Sequence, residues 1–286
     1  MYEQFYRLRE KPFSLVPDPA FLYMAKRHRH ALTLLEYVLS EASGFALITG
    51  EVGCGKTTVV RHFLERLDRR FTIALLTDTH GGMGPLLPWI VEALGLEAGK
   101  LSPSELYRRF ARHAQCEFDD GQRIVVVIDE AQNLGVDGLE ELRVLSNLNA
   151  GKDMILQTIL IGQPELRDML RLQSLRQFAQ RIAIEHHIEP LQRDETHRYV
   201  RHRVGVAQGP EDLFAEDAVD LVHDSTGGIP RLVNIICDAA LVYGYSDQRP
   251  QIDAELVELV VRDRVAGGLL PLRVGAQGAS PSLAAG

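Results

Sequence analysis

The sequence has little cysteine and no long apolar run. Among its 286 residues only Cys54, Cys116 and Cys237 are cysteines, and none of them forms a CxxC pair. This pattern excludes a disulfide framework and suits a reducing compartment. No run reaches the ~20 apolar residues that a membrane-spanning helix needs, and the longest candidate, MILQTILIG at 154–162, fits one buried strand. The N-terminus is mixed and charged, so it does not predict a secretory signal.

The sequence also lacks an excess of positive charge. Acidic residues outnumber basic residues by 39 to 31, and the formal net charge is −8. This balance argues against sequence-independent binding of nucleic acid or anionic lipid by the whole surface. The basic runs KRHRH at 26–30 and HRYVRHR at 197–203 are therefore interpreted as solvated helix faces. We interpret the chain as a cytoplasmic protein.

Apolar runs alternate with helical patterns over the first two thirds of the chain. The five runs lie at 45–50, 71–77, 124–129, 154–162 and 181–188. Strands that alternate with helices predict a parallel sheet covered on both faces, which is an α/β architecture. From Arg193 to about Val265 the pattern is helical only, which predicts a smaller helical domain. The Gly-, Ala-, Ser- and Pro-rich end predicts a disordered tail.

A glycine-rich loop, GEVGCGKTT at 50–58, lies between the first predicted strand and a predicted helix. It matches the pattern G-x-x-x-x-G-K-[ST], in which backbone N–H groups and a helix N-terminus surround phosphate oxygens. We expect Lys56 to reach the β- and γ-phosphates of ATP, and the Thr57 hydroxyl to ligate Mg²⁺. The residues expected to contact the nucleotide here are Gly50, Glu51, Val52, Gly53, Cys54, Gly55, Lys56, Thr57 and Thr58. Cys54 is interpreted as a tolerated loop residue rather than a redox group.

The apolar strand IVVVI at 124–128 is followed by two carboxylates, Asp129 and Glu130, about 70 residues after the glycine-rich loop. We expect Asp129 to hold Mg²⁺ through its water shell, and Glu130 to orient and polarise the attacking water. A protein that only bound nucleotide would not need the second carboxylate, so the pair favours hydrolysis. Gln163 follows the next apolar run. It would face the γ-phosphate if that strand lies between those carrying Lys56 and Asp129, and the alternative is an ordinary loop glutamine.

Arg231 lies one residue after Pro230 in the segment TGGIPRLVN. Proline suits the first turn of a helix, so the arginine adds positive charge beside the positive end of the helix dipole. That position is unfavourable in isolation. It suggests a negatively charged group that the helix start is built to meet.

The order of these motifs resembles one family of AAA+ ATPases. KPFSLVPDPAFLY, GEVGCGKTT, VVIDEAQNL, LEELRVLSNL, LIGQPELRDML, QRI and GGIPRLVN are similar to segments of the ATPases related to general secretion pathway protein A. The most similar subgroup is the secretion ATPase found with exosortase (PEP-CTERM) and extracellular polysaccharide loci. The resemblance covers about residues 1–265.

The resemblance implies a P-loop fold with a five-stranded parallel sheet in the order 5-1-4-3-2 and a C-terminal helical lid. It makes Gln163 the sensor 1 residue and Arg231 the sensor 2 arginine, aimed from the lid at the γ-phosphate of the same subunit. It also makes Arg181 an arginine finger that enters a neighbour's site, with Arg176 as the alternative. A finger in trans implies a homo-oligomer, either a ring or a nucleotide-dependent assembly.

The predicted parts of the chain follow from these motifs and the resemblance. Residues 1–44 are an entry segment and a helix that pack on the core, and 45–190 form the nucleotide-binding α/β domain. Residues 191–265 form the helical lid, and 266–286 form the disordered tail.

The expected activity is Mg²⁺-dependent hydrolysis of ATP to ADP and phosphate. The resemblance implies a motor or switch for a secretion or exopolysaccharide system, in contact with membrane-associated machinery through a protein partner at the inner membrane. The alternative is a DNA-linked ATPase of the transposition-regulator type, and nucleic acid is the less favoured partner. A degenerate nucleotide-binding scaffold is a third interpretation, and the intact Lys56, Thr57, Asp129 and Glu130 argue against it.

Overall fold

The structure is a computed structural model that falls into two compact units. It describes residues 1–16, 18–41, 44–77, 79–80, 82, 84–150, 153–268 and 271–272. The α/β unit comprises residues 26–189, and the helical unit comprises residues 1–25 together with the chain from residue 190 onward.

The described residues of the α/β unit form one parallel sheet and a short antiparallel pair. The strands are β1 (Phe45–Gly50), β2 (Phe71–Leu76), β3 (Arg123–Ile128), β4 (Asn149–Ala150), β5 (Asp153–Met154), β6 (Leu156–Gly162) and β7 (Ile182–Ile188). The sheet order is β2-β3-β6-β1-β7 with parallel neighbours throughout, and β4 pairs with β5. Among the five sheet strands alone this order is 2-3-4-1-5, which is 5-1-4-3-2 read from the other edge. The predicted fold class is confirmed.

The helices divide between the two units. They are α1 (Tyr2–Phe5), α2 (Lys26–Ser40), α3 (Lys56–Leu64), α4 (Leu86–Ala93), α5 (Pro103–Asp119), α6 (Gly135–Leu145), α7 (Pro164–Leu170), α8 (Arg176–Ala179), α9 (Arg193–Val206), α10 (Glu216–Thr226), α11 (Pro230–Ser246) and α12 (Ala254–Ala266). Single 3₁₀ turns are Pro19–Phe21, Ala131–Leu134 and Gln173–Leu175. Helices α2 to α8 belong to the α/β unit, and α1 and α9 to α12 belong to the helical unit.

The central strands of the sheet are buried along their whole length. Every residue of β1 and β6 is buried, as expected for parallel strands covered by helices on both faces. Phe45 and Phe178 pack together in the hydrophobic core on one side of the sheet, where the side chains of Phe110 and Leu139 are also fully buried. Strands β1, β3 and β6 are adjacent and parallel, so their carboxyl ends meet at one edge of the sheet. In open α/β sheets that edge is where ligands bind.

The helical unit includes the start of the chain. The buried guanidinium of Arg203 in α9 donates hydrogen bonds to the carbonyl oxygens of Pro12 and Ser14 and to the Tyr199 hydroxyl. The predicted entry segment 1–44 is therefore divided: residues 1–25 join the helical unit, and α2 joins the α/β unit. The expectation of a solvated face at 197–203 is wrong for Arg203, which is only 7% exposed.

Most of the chain after α12 lies outside the described residues. The predicted tail at 266–286 lies outside the described residues, except for 266–268 and 271–272. Within the described residues, no helix is both long and apolar enough to cross a membrane.

Candidate nucleotide-binding site

The glycine-rich loop joins β1 to α3 as predicted. Gly55 is the N-cap of α3 with a φ of 88°, in the left-handed region that side chains with a Cβ rarely adopt. The first N–H groups of a helix have no acceptor within the helix, so they are available to bind an anion at this end. Of the predicted loop residues, Glu51, Val52 and Thr58 are exposed, and Cys54 is buried at 1% exposure.

Lys56 is a buried cation without a carboxylate partner among the described residues. Its side chain is 5% exposed, and Nζ donates to the carbonyl oxygens of Gly50 at 2.8 Å and Glu51 at 3.0 Å. A buried ammonium with only neutral acceptors is poorly compensated. The loop therefore holds a positive charge that a phosphate group can neutralise.

Thr57 and Asp129 bring two oxygen atoms together from different parts of the chain. Thr57 Oγ1 donates to Asp129 Oδ2 at 2.6 Å, and the Asp129 carboxylate is only 6% exposed. A hydroxyl and a carboxylate oxygen are the hard ligands that Mg²⁺ prefers, with water and phosphate completing its octahedron. One hydroxyl and one carboxylate leave most of the coordination sphere to water and phosphate oxygens, so the pair fits Mg²⁺ that arrives with a nucleotide. Among the described residues, no three His, Cys, Asp or Glu side chains form a metal cluster.

Glu130 adopts a left-handed backbone conformation, with a φ of 50°. Such a φ is uncommon outside glycine and is found at functional sites, where surrounding contacts hold it. Its carboxylate Oε2 accepts hydrogen bonds from Gln163 Nε2 at 3.0 Å and Gln132 Nε2 at 2.5 Å. Partial burial acts to raise the pKa of Glu130, but these hydrogen bonds and the nearby Lys56 ammonium lower it overall. The group is thereby kept as an anion.

Gln163 lies directly after β6, between the strand that leads into the glycine-rich loop and the strand that leads into Asp129. The strand order therefore brings Gln163 close to the acidic pair. Its amide contacts Glu130 directly.

Three further residues support the site and were missed from the sequence. The Thr79 hydroxyl lies 2.7 Å from the carbonyl oxygen of Asp129 and 3.0 Å from that of Glu130. Gln132 is the second, through its bond to Glu130. The third is His28, whose Nε2 lies 3.0 Å from the Cys54 carbonyl oxygen in the glycine-rich loop. Of these, only Gln132 carried a local signal, since it lies two residues after Glu130.

His28 also corrects the interpretation of the basic run at 26–30. Its side chain is only 6% exposed, so this position is not a solvated helix face. The neighbouring Arg27 does stay exposed, and its Nη2 pairs with Glu189 at 2.7 Å.

The two candidate finger arginines differ in their surroundings. Arg181 Nη1 donates to the Arg143 carbonyl at 2.9 Å and to Ser146 Oγ at 2.6 Å, and its Nη2 donates to Asn147 Oδ1 at 2.8 Å. The Arg143 carbonyl lies in the last turn of α6, and Ser146 and Asn147 directly follow the helix, so Arg181 is bound to the end of α6 in its own subunit. Arg176 is exposed at the start of α8, and its side chain makes no hydrogen bond or ion pair to the described residues.

Arg231 is the second residue of α11, in the helical unit. It is exposed and makes no hydrogen bond or ion pair to the described residues. The preceding turn is fixed by Gly228, which has a φ of 73° and whose carbonyl oxygen accepts from the Leu191 N–H at 2.9 Å. Arg231 thus lies at the start of an anchored helix, with no acidic partner among the residues that the structure describes.

The chain is similar to known proteins over most of its length. Residues 39–170 match a family model described as an AAA domain. The chain is 43% identical over 247 residues to general secretion pathway protein A of Aeromonas hydrophila, and this match covers 86% of the chain but 45% of that protein. The chain thus spans less than half of its curated relative.

Solved structures give the same fold at low identity. The ORC2 protein of Aeropyrum pernix, in ADPNP–ADP complexes, has a TM-score of 0.67 at 17% identity, covering 90% of this chain and 72% of that one. Cdc6p of Pyrobaculum aerophilum has a TM-score of 0.63 at 20% identity, covering 89% and 75%. The fold is that of P-loop AAA proteins. The chain is therefore similar to general secretion pathway protein A over 86% of its length and has the fold of AAA proteins.

Proposed function

We propose that the protein binds and hydrolyses ATP with Mg²⁺. The observation that carries this proposal is the convergence of Lys56, the Thr57–Asp129 oxygen pair and the Glu130 carboxylate at one edge of the sheet. The similar fold of the ORC2 protein, solved with ADPNP and ADP, supports a nucleotide as the ligand.

The chain's own residues divide the work of the reaction. Lys56 and the first N–H groups of α3 bind and orient the phosphates. Thr57 and Asp129 would hold Mg²⁺, which supplies positive charge against the charge that develops on the phosphate oxygens. Glu130 accepts a hydrogen bond from the attacking water and so aligns it, and Gln163 holds the carboxylate in place.

We propose two arginines as further parts of the machinery. Arg231 is the lid arginine that meets the γ-phosphate of its own subunit. This role is supported by its exposure at the start of α11 and by the lack of an ion-pair partner in the described part of the chain. A second arginine reaches a neighbour's site in a homo-oligomer. The resemblance assigns that role to Arg181, but Arg181 makes three hydrogen bonds within its own subunit, so we propose the exposed Arg176 instead.

The biological role that we propose is a nucleotide-driven switch for an envelope secretion or exopolysaccharide system. The identity to general secretion pathway protein A carries this proposal, because 43% identity over 86% of the chain is far closer than the fold likeness to solved structures. A DNA-linked role is the second candidate, since one solved neighbour, the ORC1 protein of Aeropyrum pernix, is in complex with DNA at a TM-score of 0.64.

Phosphate release by the purified protein tests the activity. We expect Mg²⁺-dependent release from ATP by the wild type, and no turnover by Glu130→Gln, which retains ATP because its phosphate-binding groups are intact. Absence of turnover by the folded wild type, in any assembly state and with membrane extract or DNA added, would overturn the proposal. Stimulation by membrane extract favours the envelope role, and stimulation by duplex DNA favours the second candidate.

A further inference from the structure

Gln132 links two parts of the candidate site through one side-chain amide. It lies in the 3₁₀ turn Ala131–Leu134 and is half-buried. Its Nε2 donates to Glu130 Oε2 at 2.5 Å, and its Oε1 accepts from the backbone N–H of Gln163 at 3.1 Å. An amide can donate and accept at once, which a carboxylate or an ammonium cannot do.

The amides of Gln132 and Gln163 bind the same oxygen of the glutamate. Gln163 Nε2 also donates to Glu130 Oε2, at 3.0 Å. Glu130 Oε1 accepts no hydrogen bond from the described residues. Two donors on one oxygen fix the rotation of the carboxylate and leave the other oxygen able to accept a hydrogen bond from water.

The absence of a side chain at Gly162 leaves room for the Gln132 amide. A Cβ added at Gly162, the last residue of β6, would lie 2.8 Å from Gln132 Oε1 and 2.6 Å from Leu166 Cδ2. Both atoms are the far ends of side chains, so a residue larger than glycine here would have to displace the Gln132 amide or the Leu166 side chain. The Gln132 amide therefore lies in close contact with the end of β6.

We propose that Gln132 is a positioning residue for Glu130. Its amide ties Glu130 Oε2 to the start of α7, so that Glu130 Oε1 is the oxygen that orients the attacking water. Gln132 acts through Glu130 and Gln163 and has no direct role toward nucleotide. This inference rests on the proposed hydrolysis.

Steady-state kinetics of Gln132→Ala test the role. We expect kcat to fall about tenfold, the loss of one hydrogen bond to a charged group, while KM and ATP affinity stay within about twofold. Gln132→Glu should lose more activity, because it places a second carboxylate against Glu130 and cannot donate. The matched control is Gln173→Ala, an exposed glutamine in another 3₁₀ turn, which should behave as the wild type.

A double variant checks that the two amides act together. Gln132→Ala and Gln163→Ala both remove a donor from one oxygen, so their combined effect on kcat should differ from the product of the single effects. A purely structural role would instead lower the unfolding midpoint and move kcat and KM together. Unchanged kcat in a folded Gln132→Ala, or strict additivity of the two changes, would overturn the inference.

Hydrogen exchange separates this inference from the proposed function. The backbone N–H of Gln163 donates to Gln132 Oε1, so its proton should exchange faster in Gln132→Ala than in the wild type or in Gln173→Ala. This holds whether or not the protein hydrolyses ATP. If the wild type does not turn over, the proposed function fails and the role of Gln132 fails with it, but faster exchange still confirms the amide link. If the wild type turns over and exchange at Gln163 is unchanged, the inference fails alone.

Discussion

The Thr57 hydroxyl and the Asp129 carboxylate meet at 2.6 Å, although 72 positions separate them in the chain. Thr57 is the second residue of α3, and Asp129 directly follows β3. Their contact joins the phosphate-binding half of the site to its acidic half. It also leads to the first prediction.

Thr57→Val should remove most of the Mg²⁺ dependence of ATP binding. The substitution keeps the size of the side chain but deletes a metal ligand, so the ratio of ATP affinities with Mg²⁺ and with EDTA should fall toward one. Titrations under both conditions measure this ratio. Thr33→Val, at an exposed position in α2, is the control and should keep the wild-type ratio. An unchanged ratio in Thr57→Val would remove Thr57 from the metal site.

Cys54 should be chemically inert despite its place in the phosphate loop. Burial raises the pKa of its thiol to about 11, so almost no reactive thiolate forms at neutral pH. Alkylation followed by mass spectrometry should label the exposed Cys116 and spare Cys54 until the protein unfolds. Rapid labelling of Cys54 in folded protein at pH 7 would contradict the burial.

The raised pKa of Cys54 also gives a pH dependence of stability. The folded state disfavours the thiolate, so the contribution of this thiol is complete below the ordinary thiol pKa and is lost as pH rises toward about 11. Unfolding midpoints of the wild type should therefore fall between pH 9 and 11 more than those of Cys54→Ser. Equal slopes in the two proteins would argue against this cause.

Two glycines of the helical unit should respond oppositely to alanine. Gly228 has a φ of 73°, and an added Cβ would lie 2.0 Å from the Leu191 carbonyl oxygen. Gly228→Ala should therefore lower the unfolding free energy by roughly several kcal/mol. Gly205 is an exposed helical residue of α9 with open space around it. Gly205→Ala should raise stability by about 0.5–1 kcal/mol. Denaturant unfolding measures both, and a neutral Gly228→Ala would show that the turn before Arg231 is not fixed as described.

Alanine substitutions of Arg181 and Arg176 should differ in their effects on the unfolding free energy and on the turnover of mixed subunits. Arg181→Ala should cost about 1.5–3 kcal/mol of unfolding free energy, because it removes hydrogen bonds from a charged group at the end of α6. Arg176→Ala should leave stability unchanged. Each variant is then mixed with Glu130→Gln subunits, and turnover is measured.

If Arg176 acts in trans, Arg176→Ala subunits should be inactive alone and recover part of their activity in the mixture. The Glu130→Gln subunits then supply the arginine, and the Arg176→Ala subunits supply the glutamate. Recovery with Arg181→Ala instead would return the role to Arg181. Assembled mixtures that recover with neither would count against a finger in trans.

The sequence predicted the sheet and the central motifs because those signals are local. Apolar runs mark buried strands, and the glycine-rich loop and the acidic pair each lie within a few residues. The strand order came from the family resemblance, not from the apolar runs. The structure then placed Gln163 beside Glu130, as that order requires.

The supporting contacts could not be predicted because they join distant segments. Thr79 reaches the Asp129 carbonyl across 50 positions, and His28 reaches Cys54 across 26. The basic pattern predicted a solvated position for Arg203, but its side chain is buried and donates to the backbone of residues near the N-terminus. Charge pattern alone does not tell a solvated cation from one that bonds to carbonyl groups.

Calorimetric titration of Mg-ATP into the wild type and Lys56→Ala tests the central claim most directly. We expect saturable binding of one nucleotide per wild-type chain, and an affinity at least about tenfold lower for Lys56→Ala, because a charge-assisted contact to phosphate is lost. Both proteins should unfold at similar midpoints, since the acceptors of Lys56 among the described residues are two loop carbonyl groups. No binding heat from the folded wild type over a range of temperatures, or equal affinity in the two proteins, would contradict the account.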